Sequence, residues 1–189
     1  MTVPPLEPAE LMRTLRGALP LRTERLVLRD LRPDDLDAVR RYRNAPGQRR
    51  WTYNRDQTEA ELMAWTAGGA ATFLRDGDAH QLGIEHDGAL VGDLMLRVTS
   101  LGSRQMELGW MLATEVQGRG FATEAARAAL DLAIRMGAHR VIAHLDEENV
   151  ASRRVAERLG MSLEGRFVDD EVNPATGELG TSLILAVRP

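Results

Sequence analysis

Hydrophobic and polar positions change period several times along the chain, and each change marks an element. Leu26-Val27-Leu28 lies between charged flanks and reads as a short strand. Pro33-Asp34-Asp35 opens a helix running towards Arg43, with proline in the first turn and acids at the positive end of the helix dipole. Ala45 to Asp56 has no periodicity and reads as loop, after which Thr58-x-x-Glu61 forms a capping box ahead of Leu62, Met63 and Trp65. Three strands follow, His80 to Glu85, Leu90 to Val98 and Gln105 to Leu112, the first two joined by a hairpin turn at Asp87-Gly88. From Gly120 to Met136 the period becomes helical: Ala122, Ala125, Ala126, Ala129, Ala133 and Met136 share one face, and Gly137 ends the helix. Val141 to Leu145 is a compact strand, and Asn149 is an N-cap for a helix to Leu159 that Gly160 stops. Met161 to Phe167 and Thr181 to Val187 are the last strands, separated by a polar loop. Residues 1–20 read as an N-terminal arm with a short helix from Pro8 to Leu19, leaving 21–189 as one domain. This order predicts an α/β (α+β) fold, a single mixed central β-sheet flanked by helices.

Composition narrows the chemistry. At 189 residues with 43% hydrophobic and 28% charged positions, the chain supports one sizeable core. Its longest apolar run, Leu183 to Val187, is far too short to span a membrane, and Pro4, Pro5, Glu7 and Pro8 interrupt any signal-like segment, so a cytoplasmic protein with no membrane partner is expected. There is no Cys, hence no disulfide, thiolate nucleophile or Cys-based zinc site. All 24 basic residues are Arg, which excludes a Walker lysine, a Schiff base and a lysine general base. The net charge of −4 argues against nucleic acid as the main partner, although Arg49-Arg50-Trp51-x-Tyr53 interleaves cations and aromatics as single-strand binders do. His80, His86, His139 and His144 lack metal-ligand spacing, and no metal is expected.

The informative segment is Gln117-Gly118-Arg119-Gly120-Phe121-Ala122, between a strand and the longest helix. Glycines at such a turn let backbone N–H groups converge on an anion at a helix N-terminus, although a tight turn alone would also use them. A dinucleotide fingerprint fits poorly, because Thr123 stands in place of its third glycine.

Gln-x-x-Gly-x-Ala at 117–122, followed by Thr123-Glu124-Ala125, resembles the acetyl-CoA pyrophosphate loop of the GNAT N-acetyltransferase superfamily. Thr23-Glu24-Arg25-Leu26, Glu107-Leu-Gly-Trp-Met-Leu112, Glu148-Asn149-Val-Ala-Ser152-Arg153 and Leu159-Gly160-Met161 extend the likeness to its ribosomal-protein N-terminal (alanine/serine) acetyltransferase branch, with Met161 where that branch usually has Phe. The resemblance runs from Leu21 to the C-terminus and implies the GNAT acyl-CoA N-acyltransferase fold with splayed central strands. It also implies acetyl-CoA as co-substrate. The backbone amides of Arg119, Gly120, Ala122 and Thr123 would hold the pyrophosphate, Gln117 and Gly118 would shape the turn, and the Met111 and Leu112 backbone would pair with pantetheine. Gly109 suggests a bulge or a close backbone approach, and the resemblance implies that a bulge there splays two parallel strands apart.

For catalysis, Glu107 is the candidate general base. Alternation puts it with Gly109 and Met111 on one face of its strand, where partial desolvation suits a carboxylate to base work; pairing with an arginine is the plainer alternative. The resemblance assigns Asn149 to the pantetheine or acceptor slot and gives Ser152 the hydroxyl that protonates or stabilises the leaving thiolate. Tyr42 and Tyr53 lie too far upstream for that task, and helix capping is the other reading of Ser152. Arg153 reaches either a cofactor phosphate or Glu157 on a solvated helix face. Asp169-Asp170-Glu171 forms an acidic loop able to steer a cationic acceptor. The expected reaction is direct attack of an amine on acetyl-CoA, the acceptor being a protein or peptide N-terminal α-amine. The alternatives are a small-molecule amine such as an amino acid or antibiotic, or a non-catalytic acyl-CoA-binding module. A homodimer is left open.

Overall fold

The computed structural model describes residues 4–52, 57–67 and 73–188. In chain order the elements are α1 (Pro8–Ala18), β1 (Leu21–Arg22), β2 (Val27–Asp30), a 3-10 turn at Pro33–Asp35 leading into α2 (Leu36–Arg43), a 3-10 turn at Arg49–Trp51, and α3 (Glu59–Thr66). They continue with β3 (Ala79–His86), β4 (Ala89–Ser100), β5 (Gln105–Leu112), a 3-10 turn at Thr114–Val116, α4 (Phe121–Arg135), β6 (Arg140–Asp146), α5 (Val150–Arg158), β7 (Ser162–Val172) and β8 (Leu179–Val187). The capping box at Thr58 and Glu61 starts α3, and the Asn149 side chain caps α5 by accepting the Ser152 N–H, as their sequence patterns require.

All eight strands join one sheet in the order β1-β2-β3-β4-β5-β6-β8-β7. Every neighbouring pair is antiparallel except β5 and β6, which are parallel because α4 carries the chain across between them. That parallel ladder is short. It pairs Gln105 with Arg140, Met106 with Val141 and Glu107 with Ile142, and goes no further. Beyond it β5 stays on β4 as far as Leu112 opposite Gly92, and β6 stays on β8 as far as Asp146 opposite Ser182. Each strand follows its outer neighbour, and sheet twist carries the two apart. A bulge at Gly109 plays no part: Gly109 pairs in register with Met95, and a Cβ there would touch only the Met95 side chain, at 3.4 and 3.6 Å. The close approach falls instead at Gly92, where a Cβ would stand 2.2 Å from the Met111 carbonyl oxygen.

The core covers the face of β3, β4 and β5 opposite Gln81, Asp93 and Glu107. Leu82, Ile84, Leu94, Leu96, Val98 and Met106 are fully buried, as is the alanine face of α4 formed by Ala125, Ala126, Ala129 and Ala133. Small side chains there let α4 lie close against β4 and β5. Among the described residues, no helix is long and apolar enough to cross a membrane.

Two boundaries differ from the sequence reading. The described part of the N-terminal arm is docked: Leu6, Leu11 and Leu15 belong to the core, and Leu6 N–H donates to Leu101 O at 2.9 Å. The acidic loop is part of β7, which runs through Asp169-Asp170-Glu171 with irregular register between Phe167 and Glu171. Asp170 there accepts the Ser182 N–H and hydroxyl, at 3.1 and 2.7 Å, and Glu171 borders the cleft described below.

The docked helix makes a stability prediction. Leu15 is 1% exposed, so Leu15→Ala should cost about 2–5 kcal/mol in denaturant unfolding, whereas truncating the exposed Arg13 should change little. Equal, negligible effects from both would show that the arm does not belong to the core.

Candidate active site

The gap between β5 and β6 opens into a cleft of about 1360 Å³ that runs from the 117–123 loop to the floor of β3, β4 and β5. The end at the 117–123 loop is made by backbone. Gly118 and Gly120 have φ of +77° and +84°, a left-handed geometry that glycine adopts without strain. Gly120 is the N-cap of α4, with no side chain capping it, and the first helical bond runs from Glu124 N–H to Gly120 O. The N–H groups from Gly120 to Thr123 therefore have no helical partner and lie at the positive end of a 15-residue helix. Gln117 turns back, its Nε2 donating to Leu112 O at 3.0 Å, which fixes the loop to the end of β5.

The loop is held from outside by residues about a hundred positions earlier. Glu124 Oε1 accepts the Thr23 hydroxyl at 2.6 Å and the Arg25 N–H at 2.8 Å, while Arg25 Nε donates to Glu124 Oε2 at 2.7 Å. Arg25 Nη1 also donates to Arg119 O at 3.0 Å. Partial burial opposes ionisation of Glu124, but the Thr23 hydroxyl and the Arg25 amide and guanidinium outweigh it and hold the carboxyl below its ordinary range. Phe121, 1% exposed, anchors the helix start with the Arg25 and Arg119 guanidinium groups 4.8 and 4.6 Å from its ring centroid and the His86 ring at 4.5 Å.

Backbone direction along β5 decides which amides face the gap. Ala113 N–H donates to Val91 O, so in this antiparallel pair Asp93 and Met111 form the next hydrogen-bonded rung and the Met111 backbone points at β4. The Met111 backbone therefore does not pair with pantetheine, as the sequence reading had it; the Trp110 and Leu112 N–H groups face the gap instead. Leu112 does so with its carbonyl already engaged by Gln48 Nε2 and Gln117 Nε2, each at 3.0 Å.

The opposite end has a polar floor: Gln81 of β3, Asp93, Met95 and Arg97 of β4, and Glu107, Gly109 and Met111 of β5 lie on one sheet face and line the cleft. Glu107 occupies the last rung before the strands part. Its side chain is 12% exposed and stands 3.3 Å from Arg97 Nη1, so the arginine pairing foreseen as its alternative is present within the cleft. Ser152 borders the gap, and its hydroxyl has no hydrogen-bond partner among the described residues, because Asn149 does the capping. Arg153 is turned away. It pairs with Glu157 at 3.0 Å along α5, while Arg154 and Arg158 line the cleft in its place.

One cluster was not read from the sequence. The Asp93 carboxylate, 3% exposed, accepts the Tyr42 hydroxyl at 2.8 Å and Arg43 Nη2 at 2.7 Å, and the Arg43 guanidinium stacks on Trp65 at 3.9 Å. Burial first, and then the neighbouring carboxylate, push the Tyr42 phenol well above its ordinary value, so it remains a donor to Asp93. The available signal was Asp93 itself, a lone charge within the apolar run Leu90 to Leu96. Tyr53 lies outside the described residues. Among the described residues no group of three or more His, Asp or Glu is placed to hold a metal ion.

The Acetyltransferase (GNAT) domain family matches residues 25–162. The chain belongs to the GNAT acetyltransferase family. It is an acetyl-CoA-dependent acyltransferase, and the left-handed glycines, unpartnered helix-start amides and open strand gap fit a coenzyme A with its pyrophosphate at the loop. Among similar proteins, the uncharacterized N-acetyltransferase YnaD of Bacillus subtilis is 29% identical over 153 residues, covering 77% of this chain and 84% of YnaD. Two solved structures share the fold. The ribosomal L7/L12 α-N-protein acetyltransferase RimL in complex with coenzyme A has a TM-score of 0.75 at 20% identity, over 88% of this chain and 95% of that one. The Vibrio cholerae spermidine N-acetyltransferase in complex with CoA and spermine has a TM-score of 0.74 at 21% identity, over 88% and 96%.

The Glu124 clamp carries a pH prediction. Because its folded pKa is depressed, its stabilising contribution is complete above the ordinary glutamate value of about 4.3 and is lost as pH falls through the lower folded value. The Tm difference between the native chain and Glu124→Gln should be largest near neutrality and shrink on acidification below about pH 4. A pH-independent difference would show that the ion pair is not its source.

Proposed function

We propose that the acceptor is a protein or peptide N-terminal α-amine and that Glu107 serves as its general base. The observation that carries this is the position of Glu107 at the apex of the strand gap, on the face that looks into the cleft. The amine attacks the acetyl carbonyl of the thioester while Glu107, directly or through water, takes its proton. The Leu112 or Trp110 N–H offers a donor to the developing oxyanion, and the CoA sulfur leaves as thiolate near the Ser152 hydroxyl. Glycine at 109 keeps the floor between Glu107 and Met111 free of a side chain. Asn149 and Ser152, on the β6 side, border the same gap from the start of α5.

Charge on the floor favours an α-amine over a polyamine. Its two carboxylates are each matched by a guanidinium, Asp93 by Arg43 and Glu107 by Arg97, which suits a singly charged terminus followed by a carbonyl. The second reading, a small polyamine as in the spermidine enzyme sharing the fold, draws on Asp146 and Glu171 at the cleft's edge. An α-amine, with a pKa near 8, also demands less of a carboxylate base than a primary alkylamine with a pKa of about 10.4.

Rates of CoA release with a panel of acceptors test both parts. Peptides with a free small N-terminal residue should react faster than N-blocked lysine peptides and faster than spermidine; turnover of spermidine alone would select the second reading. Glu107→Gln should lower kcat about 10²–10⁴-fold near neutral pH, with a smaller loss at high pH where the amine is already neutral. An unchanged kcat would remove Glu107 from the base role.

A further inference from the structure

We propose that Arg25, from the turn before β2, is a direct ligand of the cofactor pyrophosphate, and that Glu124 and Thr23 position it for that contact. The proposal rests on acetyl-CoA being the co-substrate. Arg25 lies far outside the glycine loop in sequence and is brought to it only by the fold.

Four observations converge on it. Arg25 lines the cleft and its side chain is 41% exposed. Its Nη2 stands 3.4 Å from where a Cβ on Gly120 would be, placing the guanidinium against the residue whose left-handed turn aims the helix-start amides. It is held by three contacts: Nε and Nη2 lie 2.7 Å from Glu124 Oε2, and Nη1 donates to Arg119 O at 3.0 Å. A guanidinium has five N–H groups in a planar fork, so these three contacts leave one N–H on each Nη for a ligand. Donors on a planar, fixed guanidinium suit the oxygens of a phosphate.

The opposite charge of Glu124 does not cancel this role. Both of its oxygens are engaged by Thr23 Oγ1, Arg25 N–H and the guanidinium, so the carboxylate acts as the fixed back of the fork. Stacking on Phe121 holds the guanidinium plane in place before any ligand arrives. A preorganised cation loses little freedom on binding, which raises its contribution to affinity.

The test is calorimetry on the full chain with CoA, with dephospho-CoA lacking the 3′-phosphate, and with pantetheine, which has no phosphate. Arg25→Met should weaken CoA and dephospho-CoA alike, by about ten- to a hundredfold, and leave pantetheine affinity within about twofold of the native chain. Arg25→Lys keeps the charge but not the fork and should recover only part of the loss. Glu124→Gln should fall between, with the same pantetheine result. A uniform loss on all three ligands would make Arg25 a purely structural clamp and overturn the proposal. A loss with CoA that vanishes with dephospho-CoA would place the guanidinium on the 3′-phosphate and overturn it too. A native chain that binds pantetheine but gains nothing from the phosphates would contradict the cofactor reading and this assignment with it.

Discussion

Three rungs of parallel pairing join β5 to β6, and both strands run on past the last of them under the control of other neighbours. Twist then has to separate the strands, and the separation exposes backbone donors in the middle of a sheet, where an unpaired N–H is otherwise costly. A ligand that replaces the missing strand would satisfy those donors. A pantetheine arm is of the right form, because its amides offer the same hydrogen bonds as a strand edge. The direction of the β5 backbone, with Met111 turned to β4 and Trp110 and Leu112 turned to the gap, identifies the groups left for it.

The two ends of the cleft follow from the same opening. At one end α4 begins just after β5, so the helix-start amides are delivered to the mouth of the gap by left-handed glycines. Three of the arginines that line the cleft belong to this end by their place in the chain or its contacts: Arg25, which is bonded to Arg119 O, Arg119 itself, and Arg127 in the second turn of α4. In a chain without lysine, that end is built from planar guanidinium groups held by specific partners, as Arg127 is by the carbonyls of Arg158 and Leu159. At the other end, carboxylates and arginines pair across the floor, leaving Glu107 at the apex where the two strands part. In the proposed reading, anion recognition and proton transfer are kept at opposite ends of one slot.

Much of this is legible along the chain because it is local. The alanine face of α4, the Asp87-Gly88 turn, the capping box at Thr58 and the Asn149 cap each depend on residues within a turn or two of one another. Contacts that depend on strand order are not legible in that way. Arg25 meets Glu124, and Tyr42 and Arg43 meet Asp93, only because the sheet brings distant segments together. Alternation places the Glu107 side chain on the cleft face, yet it does not say whether the Met111 backbone points to β4 or to the gap; the bond from Ala113 to Val91 determines that. For Arg153 a one-residue step around α5 exchanges cleft for solvent, and the ion pair with Glu157 takes it to solvent. In the sequence Gly109 suggests a bulge or a close backbone approach; in the fold it pairs in register with Met95 and leaves a gap in the floor, and the close approach falls at Gly92.

The central claim is that the β5–β6 opening and the Gly118–Thr123 turn together form the coenzyme A slot. Amide hydrogen exchange on the full chain, with and without CoA, tests it most directly, since it reports protection segment by segment. Segments covering residues 108–112 and 118–124 should exchange more slowly when CoA is present, while α1 and the outer half of β7 should exchange at their unliganded rates. Protection confined to other segments, with none at 108–112 or 118–124, would contradict the account.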